Sequence, residues 1–351
     1  MRRFLTLAPL IPILFLVPSA ASAQLRVEGR GASLTIGGRI HAQYSRSSVD
    51  GDGDEPDAVD DFFFRRARIE VDARVSDFLD GRAMVDVATG SADLTDAYLR
   101  LTFDPAFRIA FGQFKRAFSI FELASSTELP IIERDGRIEG LSDCPGVESV
   151  CTFSRMTEAL EVDDRDIGVR AEGRLGERVE YMVTLTNGEG KNTPDVNDAK
   201  SVSVRVAVEV APDVVIAGFA GSHDHLDENE DTERARALGA DLEVGTFRDG
   251  VHLLAGVVGG DNWLAGPDAD FLTIQALASY YVPLGGRLAG IEPLFRASWT
   301  RPAEGESAVL LTPGLLLYVQ GRNAIGFNLD RYDPAEGPSE WSFKAQAFLY
   351  F

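Results

Sequence analysis

The sequence predicts an all-β chain, with sixteen antiparallel strands closed into a barrel that spans a membrane. Three observations predict it. Apolar and polar side chains alternate with a period of two along the chain, the pattern of strands with one apolar and one polar face. The chain opens with an export signal, yet no later stretch offers the about 20 apolar residues of a spanning helix. Turn signals divide the rest so that short and long connections alternate, as they do on the two rims of an outer-membrane barrel.

The amino end comes first. Arg2 and Arg3 precede an apolar run from Phe4 to Val17, and Ala21-Ser22-Ala23 forms a small-residue cleavage site. Residues 1–23 are expected to be a secretory signal peptide and 24–351 a single barrel domain. The chain is 45% hydrophobic. An exported chain this apolar, with no spanning helix, is a periplasmic, secreted or barrel protein, and only the barrel predicts alternation throughout.

Alternation is clearest in residues 201–210, where Val202, Val204, Val206, Val208 and Val210 oppose Ser203, Arg205, Ala207 and Glu209. In residues 64–75, Ala67, Ile69, Val71 and Ala73 oppose Arg66, Arg68, Glu70 and Asp72; in 96–103, Leu99 and Leu101 oppose Tyr98 and Arg100; in 166–175, Ile167 and Val169 oppose Arg170 and Glu172. A polar face of paired Arg and carboxylate suits a wet lumen. The last segment, Trp341 to Phe351, puts Phe343, Ala345, Ala347 and Leu349 on one face and Ser342, Lys344 and Gln346 on the other, with aromatics near both ends and an aromatic carboxy-terminal residue. Aromatic girdles of this kind mark the two interfaces of a bilayer.

The expected strands are 32–46, 62–76, 82–90, 94–104, 106–114, 164–175, 178–187, 200–211, 213–223, 234–247, 250–260, 271–282, 287–300, 307–319, 322–332 and 339–351. Short connections (76–81, 104–105, 176–177, 212, 248–249, 283–286 and 321) alternate with longer polar ones (47–61, 115–163, 188–199, 224–233, 261–270, 301–306 and 333–338); 88–93 is the short member of the second set. An even strand number puts both termini on the short-turn rim.

The segment 115–163 is far too long for a hairpin connection. It holds an expected short helix near Ser119–Ser126 and the apolar-rich stretch Leu129-Pro130-Ile131-Ile132. Folding inward onto the wall would bury these residues and narrow the lumen. Cys144 and Cys151 lie in this segment beside Pro145 and Gly146. In an oxidising compartment they are expected to form a local disulfide that stiffens the loop, with free thiols or a metal pair as alternatives.

Net charge and motifs exclude several function classes. The formal net charge is −21, from 34 Lys plus Arg against 55 Asp plus Glu, which argues against nucleic-acid binding. Only Lys115, Lys191, Lys200 and Lys344 are lysines, so the cations are nearly all Arg. Acid concentrates in two loop stretches, 50–61 and 224–233. Asp50-Gly51-Asp52-Gly53-Asp54-Glu55 has the oxygen density of a calcium loop but Glu55 where the pattern requires Gly. His223-Asp224-His225 has no third zinc ligand at a defined spacing. No catalytic or phosphate-cradling motif occurs, and no cofactor or enzyme activity is expected.

Several ordered motifs together resemble the phosphate-selective porin O and P family: Phe64-Arg65-Arg66-Ala67-Arg68, then Asp96-Ala97-Tyr98-Leu99, then Gly112-Gln113-Phe114-Lys115-Arg116-Ala117-Phe118-Ser119, followed by Glu122-Leu123, Ser125-Ser126 and Glu133-Arg134. They cover about residues 34–137, and the strand count and Phe351 extend the likeness over the mature chain. The resemblance implies a sixteen-stranded, usually trimeric outer-membrane porin. It implies a third extracellular loop that folds inward and basic side chains that attract anions. Carried over, Lys115 and Arg116 stand at the mouth of the long loop, Arg134 and Arg137 within it, and Arg66, Arg68, Arg100 and Arg170 on the lumen wall. Phe351 corresponds to the terminal residue by which such barrels are recognised for assembly. Two departures stand out: Ala117 replaces the family's usual proline, and the outer loops are acidic. The expectation is therefore passive diffusion of small hydrophilic solutes in contact with outer-membrane lipid, with anions such as phosphate preferred. The alternatives are a non-conducting barrel plugged by 115–163 and a secreted all-β carbohydrate-binding protein.

Overall fold

In the computed structural model, residues 24–29, 31–50, 59–138, 144, 147, 150–226, 232–303 and 307–351 are described. The expected export signal, residues 51–58 of the first acidic stretch (with most of the calcium-like run) and residues 227–231 of the second lie outside them. The strands are β1 (Leu25–Gly29), β2 (Ala32–Val49), β3 (Asp60–Arg74), β4 (Leu79–Asp86), β5 (Asp93–Asp104), β6 (Phe107–Lys115), β7 (Arg165–Leu175), β8 (Val179–Thr186), β9 (Ser201–Ala211), β10 (Val214–Leu226), β11 (Thr232–Thr246), β12 (Asp249–Asp261), β13 (Asp270–Tyr280), β14 (Val282–Pro283), β15 (Gly290–Arg301), β16 (Ala308–Gln320), β17 (Asn323–Asp333) and β18 (Glu340–Tyr350). Between β6 and β7 lie two short helices, α1 (Ile120–Leu123) and α2 (Phe153–Ala159).

Each strand from β2 onward pairs antiparallel with the next, except that β13 and β14 both pair with β15, and β18 returns to β2 from Glu340↔Val49 to Tyr350↔Arg39. That pairing closes the sheet, and closure removes every edge strand, the condition for crossing a bilayer with strands. The barrel has sixteen staves, because β14 continues β13 along the same partner, β15. All sixteen coincide with the strands expected from alternation. The eighteenth strand, β1, was not expected; it folds back on β2 as a hairpin, Leu25↔Ile36 to Gly29↔Ala32. It covers the edge of β2 beyond the point where β18 ends. There the backbone of Phe351 exchanges two hydrogen bonds with Gly38, at 2.8 and 3.0 Å.

The burial pattern is inverted relative to a soluble sheet. On β9 the valines 202, 204 and 206 are exposed, while Ser201, Ser203 and Arg205 are buried. On β18, Phe343 and Leu349 are exposed, while Ser342, Lys344 and Gln346 are buried. On β11, Leu238 is 68% exposed and Asp241, three residues on, is buried. An apolar exterior around a polar interior rules out the soluble sandwich, whose apolar faces would meet inside.

The interior has two unlike halves. Inward side chains on β2–β8 are mostly polar, with Arg, Asp and Glu concentrated on β3–β7. Those on β10–β18 include Phe219, Leu254, Val258, Phe271, Leu294, Leu310 and Leu316, all buried. The segment between β6 and β7 packs on this second half: Phe118, Phe121, Ile131, Ile132, Phe153 and Met156 belong to the same apolar cluster. Polar contacts fix it there. Ile120 N–H donates to Asp241 at 2.9 Å, Phe153 N–H to Ser298 at 3.0 Å, and Cys151 N–H to the Tyr332 hydroxyl at 2.9 Å. Cys144 and Cys151 are disulfide-bonded within the segment. Strands such as β12, with Leu253-Leu254-Ala255, and β16, with Leu315-Leu316-Leu317, are apolar on both faces for this reason: one face meets the exterior, the other meets the segment.

Candidate functional site: a guanidinium-lined waist

A chain of cavities runs along the charged half. On the short-turn side lie two wide ones, about 1190 Å³ and 890 Å³, which share Asp72, Ser125 and Glu128. They lead to a waist of about 280 Å³, reached through Ser125, which lines all three. Beyond it, toward the long-loop side, is a cavity of about 220 Å³ that shares Arg165 with the waist.

Among the described residues, eight cations line the waist, Arg39, Arg66, Arg68, Arg82, Lys115, Arg134, Arg165 and Arg170, and Asp96 is the one carboxylate. Most have a carboxylate partner beside or behind them. Arg39 meets Glu70 at 3.2 Å, Arg68 meets Asp86 at 2.7 Å, Arg82 meets Asp72 at 2.7 Å, Arg165 meets Asp96 at 2.8 Å and Arg170 meets Glu172 at 2.9 Å. Lys115 and Arg134 share Glu122. Arg66 has no carboxylate partner among the described residues, and its Nε is buried without a hydrogen bond.

Local sequence explains how these side chains arrive. A β-bulge in β3 breaks the register between His41↔Arg66 and Ala42↔Phe64, leaving Arg65 as the extra residue. A bulge re-aims side chains, and here it lets two successive arginines point inward: Arg66 to the waist, and Arg65 to Glu133 at 2.7 Å. Strict alternation places only Arg66 inside, so Arg65 was missed. On β6, Gly112 has φ +128°, and a Cβ there would stand 2.2 Å from the Ala97 carbonyl oxygen. Only glycine permits that crossing, which sets up Phe114 and Lys115 beyond it.

α1 carries the opposite wall. Its N-cap, Ser119, accepts from Phe121 N–H at 3.1 Å, a normal helix start. Glu122 in the helix gathers Lys115 and Arg134, and Arg134 also donates to the Ala124 carbonyl at 2.6 Å. The three cations facing Glu122 hold its carboxyl at about 2, well below the usual range, against the opposing effect of burial. It stays ionised at any working pH. Arg170 lies over the rings of Phe114 and Tyr98, 4.8 and 5.3 Å from their centroids; stacking of this kind fixes a guanidinium without consuming its charge.

Three expected site residues fall elsewhere. Arg116 is fully buried, donating to the carbonyls of Glu161 and Ser222, and lines the outer cavity rather than the waist. Arg100 lines the wide short-turn cavity, paired with Asp80 at 2.9 Å and Glu172 at 3.2 Å. Arg137 is exposed and lines none of these cavities; Gly136, with φ +70°, turns the chain away after Arg134. Arg39, Arg82 and Arg165 line the waist although motif and loop position had not singled them out; lumen-facing strand positions were the available signal for Arg39 and Arg82, while Arg165, at the start of β7, shares the parity of Ile167 and gave none. At Ala117 the N–H donates to Thr184 at 3.4 Å, a contact that the family's usual proline lacks. Among the described residues no group of His, Cys, Asp and Glu could hold a metal; His223 and His225 stack instead with Trp263.

A closed sixteen-stranded barrel with an apolar exterior and a charged interior defines a channel-forming outer-membrane protein. The chain belongs to the phosphate-selective porin O and P family, whose profile matches residues 34–244. It is an outer-membrane porin of a Gram-negative-type bacterium. Solved structures share the fold at low identity. The anion-selective porin from Comamonas acidovorans is 12% identical, with 91% of this chain and 100% of that one covered, at a TM-score of 0.62. OmpF of Salmonella typhi is 13% identical, with 93% and 100% covered, at 0.60. OmpT, an outer membrane protein of Vibrio cholerae, is 10% identical, with 93% and 99% covered, at 0.58. A comparison with curated proteins finds no match.

Proposed function

We propose that this porin passes small hydrophilic solutes by passive diffusion and favours anions, phosphate or a similar oxyanion among them, at the waist. The observation that carries this reading is Arg66, a buried guanidinium on the waist with no carboxylate partner among the described residues. Selectivity follows the sign of the charge that lines the passage, not the net charge of the chain. With seven other cations beside it and one carboxylate on the lining, an anion meets attraction there and a cation meets repulsion. Water in the passage keeps the desolvation cost of an ion small. The segment 115–163 acts as the constriction loop, with Lys115 and Arg134 as its basic contribution. Arg68 and Arg170, being paired, tune the field less than Arg66, and Arg100 and Arg116 act on the approaches.

The anion-selective porin of Comamonas acidovorans shares the fold, which supports the reading by analogy alone. Residues 1–23 serve as the export signal and 24–351 as the barrel. The chain assembles as a homotrimer, a form in which OmpT of Vibrio cholerae has also been solved, and Phe351 serves as the assembly signal.

Arg66→Gln tests the assignment. Losing one unpaired charge about 4 Å from a hydrated anion costs about 1 kcal/mol, roughly a fivefold fall in anion-over-cation permeability. Single-channel reversal potentials in a salt gradient read this directly. An unchanged ratio would remove Arg66 from the filter.

A further inference from the structure

We infer that this pore rectifies: a carboxylate-lined outer cavity and the guanidinium-lined waist lie in series and meet at Arg165, so current flows more readily when the long-loop side is positive. The inference rests on the porin reading above but goes beyond it.

Two cavities of opposite character carry it. The outer one, about 220 Å³, is lined by Glu158, Glu161, Asp164, Asp166 and Glu189 against Arg116, Arg165 and Lys191. Arg116 is 1% exposed and lines this cavity with its Nε unpartnered, so a buried donor faces a space that water or an ion fills. Lys191 is already committed to Asp93 at 2.5 Å, which leaves the carboxylates in excess. The waist has the reverse balance, a surplus of cations: Arg66 is unmatched and Lys115 and Arg134 share the single carboxylate of Glu122.

Arg165 is the residue common to both. Its Nε donates to Asp96 on the waist at 2.8 Å, and its other end lies 3.8 Å from both Glu122 and Asp164. It therefore marks a boundary about one side chain thick between a region that enriches cations and one that enriches anions.

Such a boundary treats the two polarities differently. With the long-loop side positive, cations enter through the outer cavity and anions through the waist, and both accumulate at Arg165. With the polarity reversed, both are drawn away and the junction is depleted of carriers. The first state conducts better than the second.

The outer carboxylates also titrate within reach. Burial raises Glu158 to about 7, reinforced by Asp135, Asp164 and Glu122 and opposed by Arg155; burial raises Glu161 to about 7, reinforced by Asp166, Glu189 and Asp164 and opposed by Arg116. His223 of β10 lies buried 3.8 Å from Glu161. Acid therefore erases the outer sign, while Glu122 and the arginines of the waist keep theirs.

The test is the current–voltage curve of single wild-type channels in symmetric KCl, at about pH 8.5 and about pH 5.5, either side of the two glutamates. The ratio of currents at equal and opposite voltages should exceed one at the higher pH and fall to one at the lower. The Glu158→Gln, Glu161→Gln double variant should give a ratio of one at both, with its reversal potential still on the anion side. Symmetric currents from the wild-type channel at the higher pH, with an anion-side reversal potential, would overturn the inference and leave the porin reading standing. A ratio that persists in the double variant would also overturn it. Absence of any current steps would instead strike the porin reading.

Discussion

Arg296 shows how single residues set the width of this passage. It is 1% exposed on the inner face of β15. It donates to the carbonyls of Glu133 at 2.7 Å and Arg134 at 3.1 Å, and to Asp330 at 3.2 Å. Asp330 is held from the other side by Lys344, and Glu133 by Arg65. The chain Arg65–Glu133–Arg296–Asp330–Lys344 thus fastens the turn that carries Arg134 to both halves of the wall. Removing one member of a buried charged network leaves the others uncompensated, at a cost of about 3 kcal/mol. Arg296→Met should lower unfolding stability in detergent by that amount and raise open-channel current noise, because Arg134 loses its backing. A quiet channel of unchanged stability would show the strut to be idle. At this scale the sequence was partly legible. Parity expected Arg66, Arg68, Arg100 and Arg170 inside; Arg66, Arg68 and Arg170 line the waist and Arg100 the short-turn cavity. It failed at Arg65, because one bulge residue shifts the phase of a strand and leaves no mark in composition. It could not separate Arg134 from Arg137, since the turn at Gly136 is set by packing against Leu310 and Arg296.

Elements were the most legible level. Strands in a lipid-facing barrel have to alternate over their whole length, so period-two patterning located every stave. The same rule predicts the result of breaking it. Val206, exposed near the middle of β9, should lose about 2–4 kcal/mol of folding stability in bilayers as Val206→Arg, measured by urea titration; Val206→Thr should lose far less. Equal costs for the two would mean that this face does not meet lipid. Two elements escaped the reading. β1 is five residues long and exposed throughout, so it has no buried face to impose a pattern. α2 has a Thr152 cap that accepts from Arg155 N–H, but its surroundings, not its own periodicity, decide its place: Phe153 and Met156 pack under the barrel wall. The short helix expected near 119–126 is real but shorter, Ile120–Leu123.

For the whole molecule, local sign and net sign point in opposite directions. A formal charge of −21 suggests a protein that repels anions. Much of that acid sits in loops or beside an arginine, and the waist carries a surplus of cations. Composition alone could not reveal this, because it does not say which charges share a cross-section. Nor could it reveal that half the interior is apolar and covered, which leaves the waist on the side lined by β2–β8. Both facts follow only once the sheet is closed and the segment between β6 and β7 is laid against it. The central claim is that the waist, rather than the acidic surface, chooses the ion. The most direct measurement is the zero-current potential of the wild-type channel with concentrated KCl on one side and dilute KCl on the other. An anion-preferring waist lets chloride run ahead, so the dilute side should become negative; a positive dilute side would contradict the account.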